Sequence, residues 1–148
     1  MSKPITVPFE TTLHVRDTCL CLAVQRAARA LGRRFDVALR SHDLTNGQFS
    51  LLMSLNRPQP PNLRSVATLL AMDRTTLTAA LKPLERRGLV TIEIDPADKR
   101  NRLMALTPAG MKLLSDVLPI WERTHKELED HLGNEEHSRL LMNLKKLL

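Results

Sequence analysis

A chain of 148 residues with 22 Lys and Arg against 16 Asp and Glu carries a formal charge of +6, which fits one domain with a polyanionic partner. Two cysteines, Cys19 and Cys21, exclude a disulfide framework, and five glycines offer little for a phosphate-cradling loop or a dinucleotide fingerprint. No apolar run approaches the roughly 20 residues of a bilayer crossing, and no apolar leader with a basic flank opens the chain. The expectation is a cytoplasmic protein without a membrane partner or a cofactor.

The first predicted element is a long helix over about 13–40, where Cys21, Val24, Ala28, Leu31, Phe35 and Ala38 keep the three-and-four spacing of a buried stripe. Thr45 with Gln48 forms a capping box that opens the next helix, and the run NRPQPPN ends it, since three prolines within four residues cannot be helical. In LRSVATLLA, Leu63, Val66, Ala67 and Leu70 share one face, with Ala67 small where a second helix must cross. Asp73 is an N-cap for RTTLTAALKPLERRG, whose buried stripe is Leu77, Leu81 and Leu84. Behind Arg74, the opposite face holds Thr75, Ala79, Lys82 and Arg86, flanked by Thr76 and Thr78. Hydroxyls and a methyl near the helix start, with cations further along, suit a helix end entering a major groove; an ordinary solvated face would also read this way. Pro83 predicts a kink or a loosened last turn, and Gly88 a left-handed cap.

Val90, Ile92 and Ile94 then alternate with Thr91 and Glu93 as a half-buried strand does. Asp95 and Pro96 open a turn, and the return strand over 102–106 places Met104 and Leu106 on one face. Lys99, Arg100 and Arg102 crowd at the hairpin tip, where an arginine can enter a narrow minor groove. Thr107 and Pro108 start a helix running to about His131, interrupted or bent at Pro119. Gly133 and Asn134 separate it from a last helix, whose Glu135 and Glu136 suit the positive helix end. Its Leu140, Leu141, Leu144, Leu147 and Leu148 would be exposed in a monomer, which argues for a partner chain.

The segment GLVTIEIDPADKRNRLMALTPAG resembles the wing of the MarR family of winged-helix regulators, with Asp98, Arg100, Leu106 and Thr107 at the positions of the family's wing pattern. The run LTNGQFSLLMSL and the stretch over 63–90 are also similar to the family, so the resemblance covers nearly the whole chain. It implies a mainly α fold with a small β-hairpin wing, as a single unit over 1–148. The winged helix-turn-helix would occupy 45–106, and helices over 11–40 and 107–148 would interlock in a homodimer. Arg100 would enter the minor groove, with Asp98, Lys99 and Arg102 beside it. The helix from Arg74 would read the major groove, and Asp73 would anchor the wing arginine. A two-fold pair of such helices calls for a pseudo-palindromic operator with half-sites about 10 base pairs apart.

The resemblance further implies a repressor released by a small aromatic or phenolic molecule held between the dimer helices and the winged part. Phe49, Met53, Met111 and Trp121 are adaptable or planar groups that suit such a cavity, and core packing would also account for them. The stretch LCLAVQRAARA resembles the surroundings of the reactive cysteine in the organic hydroperoxide branch, which puts Cys21 at the peroxidatic position. That branch holds its thiolate with tyrosine hydroxyls, and this chain has no tyrosine; a packed, unreactive Cys21 is the alternative. Cys19 and Cys21, two apart on a helix, point to different sides and do not pair with each other.

An enzyme is disfavoured. His14, His42, His125, His131 and His137 include no pair of HExxH type, no nucleophile elbow is present, and solvated or capping roles account for His131 and His137, so no metal site is expected. A winged helix that binds only protein is a third reading. Arg74, Lys82, Arg86 and Arg100 on one side speak for DNA instead. Operator sequence, effector and the choice between activation and repression stay open.

Overall fold

In the computed structural model, which describes residues 1–148, the elements are α1 (Phe9–Thr18), α2 (Leu20–Leu39), a 3-10 turn (Arg40–His42), α3 (Asn46–Leu55), α4 (Leu63–Leu70), α5 (Arg74–Arg86), β1 (Val90–Ile94), β2 (Arg102–Leu106), α6 (Pro108–Leu132) and α7 (Asn134–Lys145). They form two compact units, Met1–Arg34 and Phe35–Leu148.

In the first unit, the one helix expected over about 13–40 is two. Cys19 takes an extended backbone, φ −71° and ψ 108°, and ends α1. Its carbonyl then accepts the Ala23 N–H at 3.1 Å and its Sγ accepts the Leu22 N–H at 3.5 Å, so the residue that stops α1 caps α2. Apolar spacing cannot register this break, because a capped joint leaves the stripe in phase. Much of that stripe is left uncovered within the chain: Cys21, Ala28 and Leu31 are exposed and Val24 is half-buried. Phe9, Val15 and Leu20 are exposed too, while Phe35 further on is buried.

The second unit is built on Leu39, Leu51, Leu52, Val66, Leu77, Leu81, Leu84, Val90, Met104 and Val117, each at most 2% exposed. Leu77, Leu81 and Leu84 are the stripe expected of α5, and they pack in one cluster with Val66 and Ala67 of α4 and with Phe49 of α3. The capping box is formed, with the Thr45 hydroxyl accepting the Gln48 N–H and the Gln48 side chain accepting the Thr45 N–H. α5 runs through Pro83 to Arg86 and closes on Gly88 at φ 72°. The Leu89 N–H reaches the Leu84 carbonyl at 3.0 Å and the Gly88 N–H the Glu85 carbonyl at 2.9 Å, a Schellman motif. α6 likewise continues through Pro119, so of the expected interruption or bend there the interruption is absent.

β1 and β2 pair antiparallel from Val90↔Leu106 to Ile94↔Arg102. Burial falls along β1 from Val90, 2% exposed, to Ile94, 56% exposed, so the hairpin leaves the core as it extends. The segment at Pro61 and Asn62 lies beside it through an isolated bridge. Asn62 bridges Leu103, and the Met104 N–H bonds the Pro61 carbonyl at 3.0 Å. The proline-rich run that ends α3 therefore also edges the hairpin. At the hairpin base, the Thr107 hydroxyl donates to the Gly88 carbonyl at 2.6 Å and the Thr107 N–H to the Leu89 carbonyl at 3.0 Å.

Candidate nucleic-acid interface

The turn between α4 and α5 sets the angle of α5. Ala71 adopts a left-handed conformation at φ 52°, which returns the Met72 N–H to the Ala67 carbonyl at 2.9 Å and the Ala71 N–H to the Thr68 carbonyl at 3.2 Å. Two residues later, Asp73 caps α5. One carboxylate oxygen accepts the Thr76 N–H at 2.7 Å and the other the Thr76 hydroxyl at 2.9 Å. These bonds hold the Asp73 pKa below the ordinary carboxylate range.

The solvent face of α5 carries the residues expected there. Arg74, Thr75, Thr78, Ala79 and Lys82, with Leu63 at the start of α4, line one open concavity. The Thr78 hydroxyl donates to the Arg74 carbonyl at 2.8 Å, so it meets a ligand as an acceptor. Thr76 has its hydroxyl proton on Asp73 and serves the helix start. Arg86 is exposed on the same helix, one position before Arg87. Arg87, which the sequence did not single out, donates to the Asp43 carbonyl at 2.7 Å and so ties the end of α5 to the turn after α2.

The wing tip is held by its own side chains. Asp95 Oδ1 accepts the Ala97 N–H at 2.9 Å, and the Asp95 N–H closes the hairpin on the Asn101 carbonyl at 3.1 Å. Asp98 grips Arg100 with both oxygens, Oδ1 to Nε at 3.1 Å and Oδ2 to Nη2 at 3.2 Å, and also takes the Arg100 N–H at 3.0 Å. The paired guanidinium lowers the Asp98 pKa. Arg100 remains 90% exposed. Arg102 folds back on the Lys99 carbonyl at 3.2 Å, and Lys99 projects into solvent. The anchoring of Arg100 by Asp73 that the resemblance implied gives way here to a local pair. Asp98 is two residues away, while both Asp73 oxygens are taken by Thr76.

Phe49, Met53 and Trp121 meet in a cleft of about 360 Å³, whose walls are α3 (with Ser50 and Ser54), α4 (Leu69 and Leu70) and α6 (Leu118). Phe49 and Trp121 stack at 5.9 Å. Met111, three turns before Trp121 on α6, is 46% exposed and does not line it. Cys21 is exposed rather than packed, with Gln25 Nε2 at 3.4 Å from its Sγ. Three residues that the sequence kept apart, His125, Glu129 and His137, come together. The i,i+4 spacing of the first two was a visible signal; the third depends on the turn at Gly133.

A helix-turn-helix whose second helix offers hydroxyls and cations, followed at once by a basic hairpin, defines a winged-helix DNA-binding protein. Residues 44–101 match the model of the MarR family. The transcriptional regulator HosA of Escherichia coli is 34% identical over 108 residues, 72% of this chain and 78% of HosA. Among solved structures, the transcriptional repressor CouR bound to a 23-mer DNA duplex superposes with a TM-score of 0.80 at 28% identity, over 90% of this chain and 94% of CouR. BpsR of Bordetella bronchiseptica, whose structure addresses regulation of DNA binding by 6-hydroxynicotinic acid, superposes with a TM-score of 0.74 at 27% identity, over 84% of this chain and 95% of BpsR. The chain belongs to the MarR family; it is a DNA-binding transcriptional regulator and not an enzyme.

Proposed function

We propose that this regulator is a cytoplasmic homodimeric repressor that grips a pseudo-palindromic operator with α5 and the wing of each subunit and releases it when a small aromatic molecule enters the α3–α4–α6 cleft. The observation that carries this reading is the cleft itself. It is wedged between α4, which supports the recognition helix, and α6, and it falls in the size range of small-molecule sites. A planar ligand there contacts Phe49 and Trp121, and any preference for one spacing of α4 and α6 becomes a preference for one DNA-binding state. Its polar lining is limited to Ser50 and Ser54, and the Ser54 hydroxyl already donates to the Leu51 carbonyl at 2.6 Å. The site therefore suits an uncharged ring with one hydroxyl better than a polyanion. BpsR supports an aromatic ring as the ligand, and CouR supports repression. Dimerisation is supported by the uncovered apolar residues of α1, α2 and α7, Leu140, Leu141 and Leu144 among them.

The test is to capture genomic fragments on the purified protein, then titrate a panel of phenols and aromatic acids while following Trp121 fluorescence and fragment release. The expected result is a steeply salt-dependent complex that at least one phenol dissociates with a matching fluorescence change. A complex insensitive to salt would refute DNA recognition by these cations, and release without any Trp121 response would refute the cleft. The second reading is a thiol sensor, supported by the Gln25 side-chain amide, which donates to the Cys21 Sγ at 3.4 Å and would favour a thiolate. Cumene hydroperoxide would then release DNA from the wild type and not from Cys21→Ser; equal release from both would exclude it.

A further inference from the structure

We propose that His125, Glu129 and His137 form a binding site for a divalent transition-metal ion of the zinc class at the joint between α6 and α7. One ligand atom from each of the three lies within 4.8 Å of the others. His125 Nδ1 is 3.1 Å from Glu129 Oε1, and the rings of His125 and His137 meet edge to face at 5.1 Å.

The fold converges these groups. His125 and Glu129 are one turn apart on α6 and so share a face. Gly133, at φ 86°, then redirects the chain, and the His137 N–H bonds the Gly133 carbonyl at 2.9 Å, placing His137 in the first turn of α7. Trp121 stacks on His125 at 4.7 Å with the planes 19° apart, which fixes the imidazole plane. All three ligand residues are half-buried, which suits a partly desolvated ion reachable from solvent.

The donor set chooses the metal. Two imidazoles and one carboxylate suit zinc, cobalt, nickel or copper, whereas calcium and magnesium require mostly oxygen ligands. Bonds of about 2.0–2.2 Å place tetrahedral ligand atoms about 3.4 Å apart, a spacing the His125–Glu129 edge already approaches and side-chain rotation of His137 completes. Three protein ligands leave a fourth position for water. An ion so held fastens α7 to α6, and because His125 stacks on Trp121 it sits one ring away from the aromatic cleft.

The experiment uses full-length, chelator-treated protein titrated with Co(II), read by the visible bands of four-coordinate cobalt and by quenching of Trp121, the single tryptophan, followed by displacement with Zn(II). The expected result is saturation at one ion per chain, quenching on cobalt binding and recovery on zinc addition. His137→Gln lowers the affinity at least about ten-fold with an unchanged circular dichroism spectrum, and His125→Gln does the same if it folds. His131→Gln and His42→Gln leave the affinity unchanged. Binding that fails to saturate at one ion per chain, or a His137→Gln variant that binds like the wild type, overturns the site.

Discussion

Gly110 sits in the first turn of α6, directly against the start of the wing, and its replacement by alanine measures how tightly that joint is built. A Cβ at this position would lie 2.1 Å from the Leu89 carbonyl oxygen and 3.0 Å from its carbon, far inside the 3.4 Å where ordinary contact begins. The obstacle is backbone, so no rotamer relieves it, and the start of α6 must move more than an ångström away from Leu89. Overpacking of this kind costs about 1–3 kcal/mol. The same shift pulls the Leu89 carbonyl from the Thr107 N–H, now at 3.0 Å, for roughly 1 kcal/mol more. The expected destabilisation of Gly110→Ala is therefore about 2–4 kcal/mol. In urea, followed by Trp121 fluorescence at fixed protein concentration, the midpoint should fall by roughly 1–2 M for slopes usual in small domains. Gly47→Ala is the control, because a Cβ there meets nothing within 4 Å and alanine favours a helix by about 0.5–1 kcal/mol. A Gly110→Ala midpoint within about 0.3 M of wild type would refute the close approach.

Three further outcomes are expected. Arg100→Ala, which removes a side chain that is 90% exposed, should leave the urea midpoint unchanged while weakening binding to a captured genomic fragment by about ten-fold or more per subunit; unchanged binding in a mobility-shift titration would remove Arg100 from the interface. Ala71→Gly relieves a left-handed alanine at φ 52°, and after the greater freedom of glycine in the unfolded chain is deducted it should stabilise by about 0.5–1 kcal/mol, seen as a higher melting temperature. Because the folded Asp73 pKa is lowered, its carboxylate stabilises the fold above the ordinary value of about 3.9, and that contribution is lost as pH falls through the lower folded value. Asp73→Asn keeps a cap acceptor but cannot titrate, so acid unfolding below about pH 4 should be shallower than in the wild type; identical acid limbs would show that the cap is not linked to protons.

What could be read from the chain was whatever local chemistry decides. The stripe Leu77, Leu81 and Leu84, the caps at Thr45, Asp73 and Thr107, and the left-handed Gly88 follow from spacing and from which side chains can satisfy free N–H groups, and the structure has them all. The break at Cys19 was hidden because a thiol rather than a hydroxyl caps α2. Pro61 and Asn62 looked like a simple helix stop; their role at the hairpin edge depends on a strand more than 40 positions away. Asp98 and Asp73 were equally acidic on paper. Only the curl of the tip decides which of them holds Arg100. Phe49, Met53 and Trp121 gathered in one cleft while Met111 did not, because Met111 lies two turns before Leu118, roughly 10 Å further along α6, beyond the end of the cleft.

The hairpin is secured along its outer β2 edge by Pro61 and at its base by Thr107. With α5 and the wing both on the duplex as proposed above, the span between them is a fixed gauge. A duplex whose local pitch or groove width differs from that gauge must itself bend or twist to fit. The energetic penalty then falls on the nucleic acid, and stiffness at base pairs that no side chain touches becomes a criterion of selection.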